Sequence, residues 1–399
     1  MTDWIDAERD VVFQNYGRQP IVLERGEGTR VWDVDGREYL DFVGGLAVNV
    51  LGHSHPVVAR AVADQAGTLI HTSNLYYTKP MIELAQLLVA NSTLDRVLFL
   101  NSGAEAIEAA IKLARRWGHD ERGGAHHIIS FNNGFHGRTF GALAATGTAR
   151  YREPFEPLPA GFSHVDWNDL EAVKKATTDQ TVAILLEPIQ GEGGVNMPDD
   201  GFLPAIQAWC RENNLLLVLD EIQTGNGRTG TLFAYEQYGL DPDIVCLAKG
   251  LAGGVPIGAI LARDKLAAHL VPGDHGTTFG ANPLAAAAGV ATMRHIIDEE
   301  LPQRATQASE RIRERIAAIE DRVPMVTGLR GLGLLLAITL AEDVSADVVV
   351  ECRERGLLAN NVRPNAVRLM PPLNVTDEEI DRACQIFEEA VAAVVAARA

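Results

Sequence analysis

Short apolar runs rich in β-branched residues alternate with helical patterns through the middle of the chain, from about residue 97 to residue 261. This alternation is typical of βαβ units, which build a mostly parallel sheet with helices on both faces. The runs are apolar along their whole length, as strands buried on both faces require. The predicted strands are 97–100, 127–131, 182–186, 215–219, 244–247 and 258–262.

The pattern changes on either side of this central region. Near the start, Asp35-Gly36 between β-rich flanks is a strong signal for a hairpin turn. After about residue 284, long Ala/Arg/Glu-rich helices precede a β-rich stretch at 331–340 and a last helix from about Asp377. We therefore predict a large α/β domain, a smaller α+β domain and an N-terminal segment that joins the smaller one, at residues 46–285, 286–399 and 1–45 respectively.

The composition disfavours several classes of protein. A net charge of −18 argues against nucleic acid and anionic membranes as partners, because phosphate binding needs clustered Lys and Arg. The acidic start lacks the apolar run of a secretory signal, and no apolar stretch approaches the roughly 20 residues that cross a bilayer. We expect a cytoplasmic protein with reduced thiols, since there is no paired spacing among Cys210, Cys246, Cys352 and Cys384.

Two charged residues follow buried strands at the sheet edge where α/β proteins bind ligands. Asp220 comes directly after strand 215–219, and Lys249 follows strand 244–247 one βαβ unit later. Pyridoxal-phosphate chemistry needs this pair. The lysine forms a Schiff base, and the carboxylate keeps the pyridine nitrogen protonated. Taken alone, the pair also fits an ordinary salt bridge at a loop rim.

A candidate phosphate-binding turn follows the strand at 97–100. Ser102 and Glu105 have the spacing of a capping box at the start of an Ala-rich helix. The free N–H groups and the positive dipole end of such a helix attract anions, and Gly103 lets a phosphate come close. An ordinary capped helix explains the same pattern.

Further candidate site residues lie in loops. Phe135 has a planar ring that can stack on a cofactor, and Arg138 can hold a carboxylate bidentately. Glu192 lies in a glycine-rich loop. A core aromatic, a surface ion pair and a plain turn are the simpler explanations. His53 and His55 lack further ligands at metal-site spacing, so we predict structural histidines and assign no metal.

Together, these segments resemble the class III aminotransferases of the fold type I pyridoxal-phosphate enzymes. The motifs span nearly the whole chain in the family's order: RGEG, YLDF, LGHSHP, SNLYY, NSGAEA, FHGRT, EPIQGEGG, DEIQTGNGRTG, LAKGLAGGVPIGA, PGDHGTTFGANPLA and RLMPPL. Within the family, the chain is most similar to enzymes that act on N-acetylornithine. The resemblance implies a large domain with a mostly parallel seven-stranded sheet, a smaller α+β domain, and pyridoxal 5'-phosphate as cofactor.

The resemblance also implies cofactor contacts. Lys249 corresponds to the lysine that carries the cofactor and moves the proton, and Asp220 to the partner of the pyridine nitrogen. Gln223 corresponds to a neighbour of the ring hydroxyl, and Phe135 to the residue stacked on the ring.

The phosphate contacts implied by the resemblance come from two subunits. Ser102, Gly103 and Ala104 correspond to the phosphate-binding turn of one subunit. Thr278 corresponds to a threonine that reaches the phosphate from the partner subunit. The expected active unit is therefore a homodimer with two shared sites.

For substrates, the resemblance implies a ping-pong transfer of the δ-amino group of N2-acetylornithine to 2-oxoglutarate, which yields glutamate and serves arginine biosynthesis. Arg138 corresponds to the arginine that binds the α-carboxylate of acetylornithine, and Thr277 to a neighbouring substrate contact. Arg368 corresponds to the arginine that takes the α-carboxylate of the amino acceptor. Glu192 corresponds to the acid that covers that arginine when an ω-amine occupies the site.

Several alternatives stay open. Ornithine is disfavoured as the donor, because Gly44-Gly45-Leu46 stands where ornithine-specific relatives carry a tyrosine. Succinylornithine, succinyl-diaminopimelate or another ω-amino acid would use nearly all the same motifs. A racemase or aminomutase on this fold would keep Lys249 and Asp220 without producing a keto acid. A non-catalytic binding protein with the same fold would not need the lysine, the carboxylate and both arginines together.

Overall fold

A seven-stranded sheet forms the centre of residues 3–398, the part of the chain that the structure, a computed structural model, describes. The strands are β1 (Leu23–Glu27), β2 (Arg30–Asp33), β3 (Glu38–Asp41), β4 (Arg96–Leu100), β5 (His127–Phe131), β6 (Phe162–Val165), β7 (Thr181–Leu186), β8 (Leu216–Asp220), β9 (Ile244–Leu247), β10 (Gly258–Ala262), β11 (Val326–Leu332), β12 (Leu335–Leu340), β13 (Leu357–Leu358), β14 (Asn360–Arg363) and β15 (Ala366–Leu369). The helices are α1 (Trp4–Val11), α2 (Gly44–Ala47), α3 (Pro56–Ala66), α4 (Lys79–Ala90), α5 (Gly103–Glu121), α6 (Phe140–Ala145), α7 (Ala149–Arg152), α8 (Leu170–Ala176), α9 (Phe202–Glu212), α10 (Asp264–Ala267), α11 (Pro283–Asp298), α12 (Leu301–Glu320), α13 (Ser345–Glu354) and α14 (Asp377–Arg398).

The central sheet has the strand order β4-β10-β9-β8-β7-β5-β6. Strands β9, β8, β7, β5 and β6 run parallel to one another, and β10 is antiparallel to both β9 and β4. The mostly parallel seven-stranded α/β sheet is therefore confirmed. All six predicted strands are present, with ends that differ by at most one residue. The strand missing from the prediction is β6, a short edge strand whose polar residues interrupt the apolar pattern.

Burial explains why these runs became strands. Every residue of β7, β8, β9 and β10 is buried, since helices cover both faces of the sheet. Helix α5 packs against β9 and β10 through a stripe that includes the predicted apolar positions Ile107, Ile111 and Ala114. The sheet and α5 together fix the carboxyl ends of the strands, where the charged residues of interest emerge.

Two smaller sheets flank the central one in the chain, and one of them joins the N-terminal strands to a late strand. The predicted hairpin forms between β2 and β3, and Gly36 in its turn has φ 81°, a backbone conformation that favours glycine. Strand β3 then pairs in parallel with β13, far along the chain. Strands β11, β12, β15 and β14 form the second sheet, with α12, α13 and α14 packed nearby. The exact domain boundaries stay a prediction.

The region after β3 contains an unusual turn. Four consecutive residues, Gly44–Ala47, have positive φ between 55° and 66°, although two of them are not glycine. Such left-handed residues cost roughly 1–2 kcal/mol each when they carry a Cβ.

Of the helices in residues 3–398, none is long and apolar enough to cross a membrane.

Candidate active site

A cavity of about 500 Å³ opens at the carboxyl ends of β4, β5, β8 and β9. This is the edge at which ligands bind in open α/β sheets. Seven of the predicted cofactor contacts line it: Ser102, Gly103, Ala104, Phe135, Asp220, Gln223 and Lys249. Two of the predicted substrate contacts, Arg138 and Glu192, line it as well.

Lys249 lies just after β9, at the first position of a short 3-10 turn. Its φ of 45° is in the left-handed region, which is uncommon for a residue with a side chain and is often found at functional sites. Burial lowers the pKa of the Lys249 amine, with a further lowering from Arg368, against the opposing charge of Glu192. The amine therefore becomes neutral more readily than an exposed lysine does.

Asp220 ends β8 and is buried, and its carboxylate is held from two sides. His136 Nδ1 lies 2.7 Å from Oδ2, and the backbone N–H of Ile222 donates to Oδ1 at 3.1 Å. Burial by itself lowers the pKa of His136, but the hydrogen bond and charge of Asp220 outweigh it and raise the pKa above its usual value. The Asp220 carboxylate thus favours the protonated form of His136.

A second buried acid lies beside this pair. Glu187 accepts hydrogen bonds from the backbone N–H groups of Phe135 at 3.0 Å and Gly191 at 3.2 Å. Burial raises the pKa of Glu187 to about 7, although the charge of His136 opposes that rise. Glu187 thus fixes the backbone of two loops that border the cavity.

The N-terminus of α5 points into the cavity through Ser102, Gly103 and Ala104. Ser102 Oγ caps the helix by accepting from the N–H of Glu105 at 3.2 Å. In a capping box, Glu105 would also accept from the N–H of Ser102. Here Glu105 Oε2 accepts instead from the N–H of the preceding residue, Asn101, at 2.7 Å. The first N–H groups of the helix remain directed to the cavity, as an anion site requires.

Arg138 is exposed at the mouth of the cavity. Its guanidinium lies 3.7 Å from the ring centroid of Tyr151 and 5.4 Å from that of Phe135. Within residues 3–398, no carboxylate lies within 4 Å of it. The simpler explanation of a surface ion pair therefore does not apply, and Arg138 is available to a ligand carboxylate.

Arg368 lies on β15 and is fully buried. Its Nη1 donates to Glu192 Oε1 at 2.8 Å and to Gln223 Oε1 at 3.1 Å, and Gln223 Nε2 donates to the same Glu192 oxygen at 3.1 Å. Its Nε and Nη2 both donate to Asn360 Oδ1. Burial alone would raise the pKa of Glu192, but Arg368 and Lys249 lower it to about 2. Arg368 thus reaches the cavity through Glu192 and Gln223.

Two predicted residues are placed less directly. Thr277 Oγ1 accepts a hydrogen bond at 2.8 Å from Asn101, which lines the cavity. Thr278 is exposed and does not line the cavity of its own chain.

The histidines near the start of the chain have structural partners. His53 Nε2 lies 2.7 Å from Asp41 Oδ2, and the His55 ring lies 4.6 Å from that of His295. Among the described residues, no cluster of three His, Cys, Asp or Glu side chains could hold a metal ion.

Three site residues were not identified from the sequence. His136 lies next to Phe135 in a quoted motif, and its one signal was that position after a buried strand. Glu187 ends the apolar run of β7 just as Asp220 ends that of β8, so the same argument could have found it. Asn360 gave no signal, because only the pairing of β14 with β15 brings it to Arg368.

Comparison with known proteins identifies the family. The sequence model of the family Aminotransferase class-III matches residues 12–391. The chain is 48% identical to the acetylornithine aminotransferase of Methanothermobacter thermautotrophicus, over 96% of this chain and 97% of that protein. It is also 48% identical to the acetylornithine aminotransferase of Gloeobacter violaceus, over 94% of each.

Solved structures agree with this assignment. The ornithine aminotransferase of Toxoplasma gondii superposes with a TM-score of 0.95 at 38% identity, over 98% of this chain and 95% of that one. The acetylornithine aminotransferase of Elizabethkingia anophelis gives a TM-score of 0.88 at 36% identity, over 98% of both chains. These matches confirm the family predicted from the motifs, so the chain belongs to the class-III aminotransferases, which are transaminases dependent on pyridoxal phosphate.

Proposed function

We propose that the protein transfers the δ-amino group of N2-acetylornithine to 2-oxoglutarate, forming N-acetylglutamate 5-semialdehyde and glutamate. The observation that carries this proposal is the ion pair of 2.8 Å between the buried Arg368 and the partly exposed Glu192 beside the cavity. A transaminase with an ω-amine donor and an α-keto-acid acceptor needs a charge that can be covered in one half-reaction and used in the other. The similarity to acetylornithine aminotransferases supports this donor.

The residues around the cavity fit pyridoxal phosphate. A buried carboxylate, Asp220, suits the protonated pyridine nitrogen, and the free N–H groups at the start of α5 suit the phosphate. Phe135 offers a partly exposed ring for stacking, and Lys249 supplies the amine that attaches the cofactor. Gln223 lines the cavity and is the proposed contact of the ring hydroxyl. When bound, the cofactor accepts the electrons that remain on the substrate carbon after a proton is removed.

Lys249 is the proposed proton carrier. Its Nζ, when not attached to the cofactor, would take the proton from the amino-bearing carbon of the substrate. The lowered pKa of Lys249 favours the neutral amine that this step requires. Asp220, held in place by His136, is the proposed partner of the pyridine nitrogen.

Glu192 and Arg368 are the proposed switch between substrates. With an acylornithine bound, the uncharged part of the donor lies near Glu192, and the ion pair keeps the charge of Arg368 balanced. With 2-oxoglutarate bound, Glu192 moves aside and Arg368 Nη1 takes the α-carboxylate in its place. Arg138, assisted by Thr277, holds the carboxylate of the donor at the cavity mouth.

We also propose that two copies of the chain form a homodimer in which Thr278 contacts the phosphate bound to the partner. The exposure of Thr278 on the single chain supports this arrangement. The division into residues 1–45, 46–285 and 286–399 and a cytoplasmic location complete the proposal. The negative net charge of −18 agrees with small-molecule substrates, with no nucleic acid or membrane partner.

Free ornithine is the second candidate donor. The Toxoplasma gondii ornithine aminotransferase has a higher TM-score to this chain, 0.95, than the Elizabethkingia anophelis acetylornithine aminotransferase, at 0.88. Backbone similarity reports the shape of the whole chain, whereas donor choice depends on a few side chains. We therefore give more weight to the relatives of 48% identity, which are acetylornithine aminotransferases.

The test is a single half-reaction. The cofactor-loaded enzyme is mixed with acetylornithine, succinylornithine, ornithine or 4-aminobutyrate, and conversion of the aldehyde cofactor to its amine form is followed by absorbance. Fast conversion by acetylornithine and slow conversion by ornithine are expected. Preference for another amine would move the enzyme within the family, and formation of racemised or rearranged product without glutamate would contradict transamination.

A further inference from the structure

The sheet that carries Arg368 places Asn360 beside the Nε and Nη2 atoms of the guanidinium, away from the Nη1 atom that donates to Glu192. Strands β14 and β15 are antiparallel, and Asn360 stands directly opposite Arg368 in their register. Directly opposed residues on one face of a sheet have neighbouring side chains. Here Asn360 Oδ1 accepts from Arg368 Nε at 3.0 Å and from Nη2 at 2.7 Å. The two donors fix the orientation of the amide, because only its oxygen can accept them.

This contact holds the guanidinium without neutralising it. Arg368 is fully buried, yet among the residues that the structure describes only one carboxylate, that of Glu192, lies within 4 Å of it. An aspartate in place of Asn360 would make the same two hydrogen bonds and would add a permanent counter-ion. The neutral amide leaves the charge of Arg368 balanced by a group that can move.

We propose that Asn360 is a positioning and specificity-determining residue, whose neutral amide fixes Arg368 while keeping its charge available to one carboxylate at a time. The inference rests on the proposed function, in which that carboxylate is first Glu192 and then the α-carboxylate of the keto acid. Asn360 acts through Arg368 and touches no substrate.

The geometry also directs how the keto acid binds. Asn360 occupies the edge of the guanidinium formed by Nε and Nη2, so an incoming carboxylate meets Nη1. When Glu192 leaves, Arg368 Nη1 and Gln223 Nε2 both lose the oxygen that they share. Nη1 keeps its bond to Gln223 Oε1, but its other N–H and that of Gln223 Nε2 are left without an acceptor. Buried donors without an acceptor are costly, so the pair selects a ligand that brings a carboxylate oxygen to the same point. Gln223 therefore contacts whichever carboxylate Arg368 holds.

Three variants test this inference in the holoenzyme: Asn360→Asp keeps the shape and adds charge, Asn360→Ala removes the acceptor, and Glu192→Gln removes the movable charge. Each half-reaction is measured separately, and the affinity for glutarate, a dicarboxylate that cannot react, is measured by calorimetry. In Asn360→Asp, we expect kcat/KM to fall for 2-oxoglutarate by a factor about tenfold or more greater than the factor for acetylornithine. The reason is that a buried counter-ion opposes the second carboxylate. Glutarate affinity should fall in Asn360→Asp and rise in Glu192→Gln.

The double variant N360D/E192Q provides the rescue. Glu192→Gln alone should slow the acetylornithine half-reaction, because Arg368 is left uncovered, and the carboxylate introduced at position 360 should restore it. An equal loss in both half-reactions for Asn360→Asp and Asn360→Ala, or an unchanged glutarate affinity in Asn360→Asp, would overturn the proposal and assign Asn360 a purely structural role. If the parent enzyme did not convert acetylornithine while glutarate affinity still fell in Asn360→Asp, the donor would be wrong and the role of Asn360 would stand.

Discussion

The Nδ1 atom of His136 lies 2.7 Å from Oδ2 of Asp220, and the two side chains are only 1% and 3% exposed. A carboxylate is the partner that a protonated pyridine nitrogen requires. The contact with His136, which also lines the cavity, holds the carboxylate of Asp220 in place.

Replacing His136 by glutamine should lower kcat by about 10–100-fold, as is common when the partner of an active-site ligand is removed. The variant should also shift the pH dependence of the cofactor absorbance, since Asp220 loses its imidazole neighbour. His127→Gln is the matched control, because His127 lies on the preceding strand β5 and bonds to Ser163 outside the cavity. Equal behaviour of the two variants would contradict the role of His136.

Replacing Lys249 by alanine should reduce turnover by about a thousandfold or more, since the cofactor attachment and the proton carrier are both removed. The absorbance of the attached cofactor should disappear as well. Lys265→Ala, which changes a lysine with a side chain 74% exposed, should leave both readouts at the parental level. Near-parental activity in Lys249→Ala would sink the assignment of the catalytic lysine.

Arg138→Lys should raise KM for acetylornithine by about tenfold or more, because an ammonium cannot hold a carboxylate through two parallel N–H groups. The control is Arg150→Lys, since Arg150 also lies over the Tyr151 ring, at 4.9 Å, but does not line the cavity. Steady-state kinetics with acetylornithine as the varied substrate measures the effect. If both variants raise KM alike, the guanidinium groups around Tyr151 matter in general and Arg138 has no specific role.

The proposed sharing of each site between two subunits predicts complementation between two inactive subunits. Thr278→Asp should abolish activity, because the introduced carboxylate repels the phosphate. Coexpressing Thr278→Asp with Lys249→Ala should restore activity, since a mixed dimer has one site with both native residues. Isolated mixed dimers that stay inactive would show that Thr278 acts within its own chain or elsewhere.

Glu221 predicts a pH dependence of stability that is separate from catalysis. It is fully buried and accepts hydrogen bonds from Thr224 Oγ1 and from the N–H groups of Ala234 and Tyr235. Burial raises the pKa of Glu221 from 4.5 to about 7. Because the folded state binds this proton more tightly, the stabilising contribution is complete below pH 4.5 and is lost as pH rises through about 7.

Urea unfolding of the parent and of Glu221→Gln across this range isolates the effect. The variant should be less stable at low pH, because its amide hydrogens oppose the N–H donors. The difference in free energy of unfolding should shrink by about 3 kcal/mol between pH 4.5 and 7.5. A difference that does not change with pH would mean that the carboxyl is ionised throughout.

The fold could be predicted because its strands are read directly from apolar runs. The same logic brought Asp220 and Lys249 to one edge, since both follow parallel strands of a single sheet. Pairings across the sheet could not be read in this way. His136 follows β5 and meets Asp220 after β8, with β7 between the two strands, so their contact depends on the strand order.

Backbone strain and contacts with a partner subunit also could not be predicted from the apolar pattern of the sequence. The sequence Gly44-Gly45-Leu46 did not predict a left-handed turn, because the side chains of Leu46 and the following Ala47 disfavour positive φ. The place of Thr278 in a site cannot be seen in one chain. Its role came from the family resemblance alone and awaits the complementation test.

The parallel pairing of β3 with β13 ties the beginning of the chain to a strand made late in translation. While the ribosome is still adding the middle of the protein, β3 has no partner on that side, and an open strand edge readily pairs with other chains. Arg368 is synthesised later still, on β15. All seven strands of the sheet that carries Asp220 and Lys249 are therefore made before the strand that covers the edge of β3 and before the proposed acceptor arginine. Both the shielding of that edge and the proposed binding of the keto acid depend on the last segments of the chain.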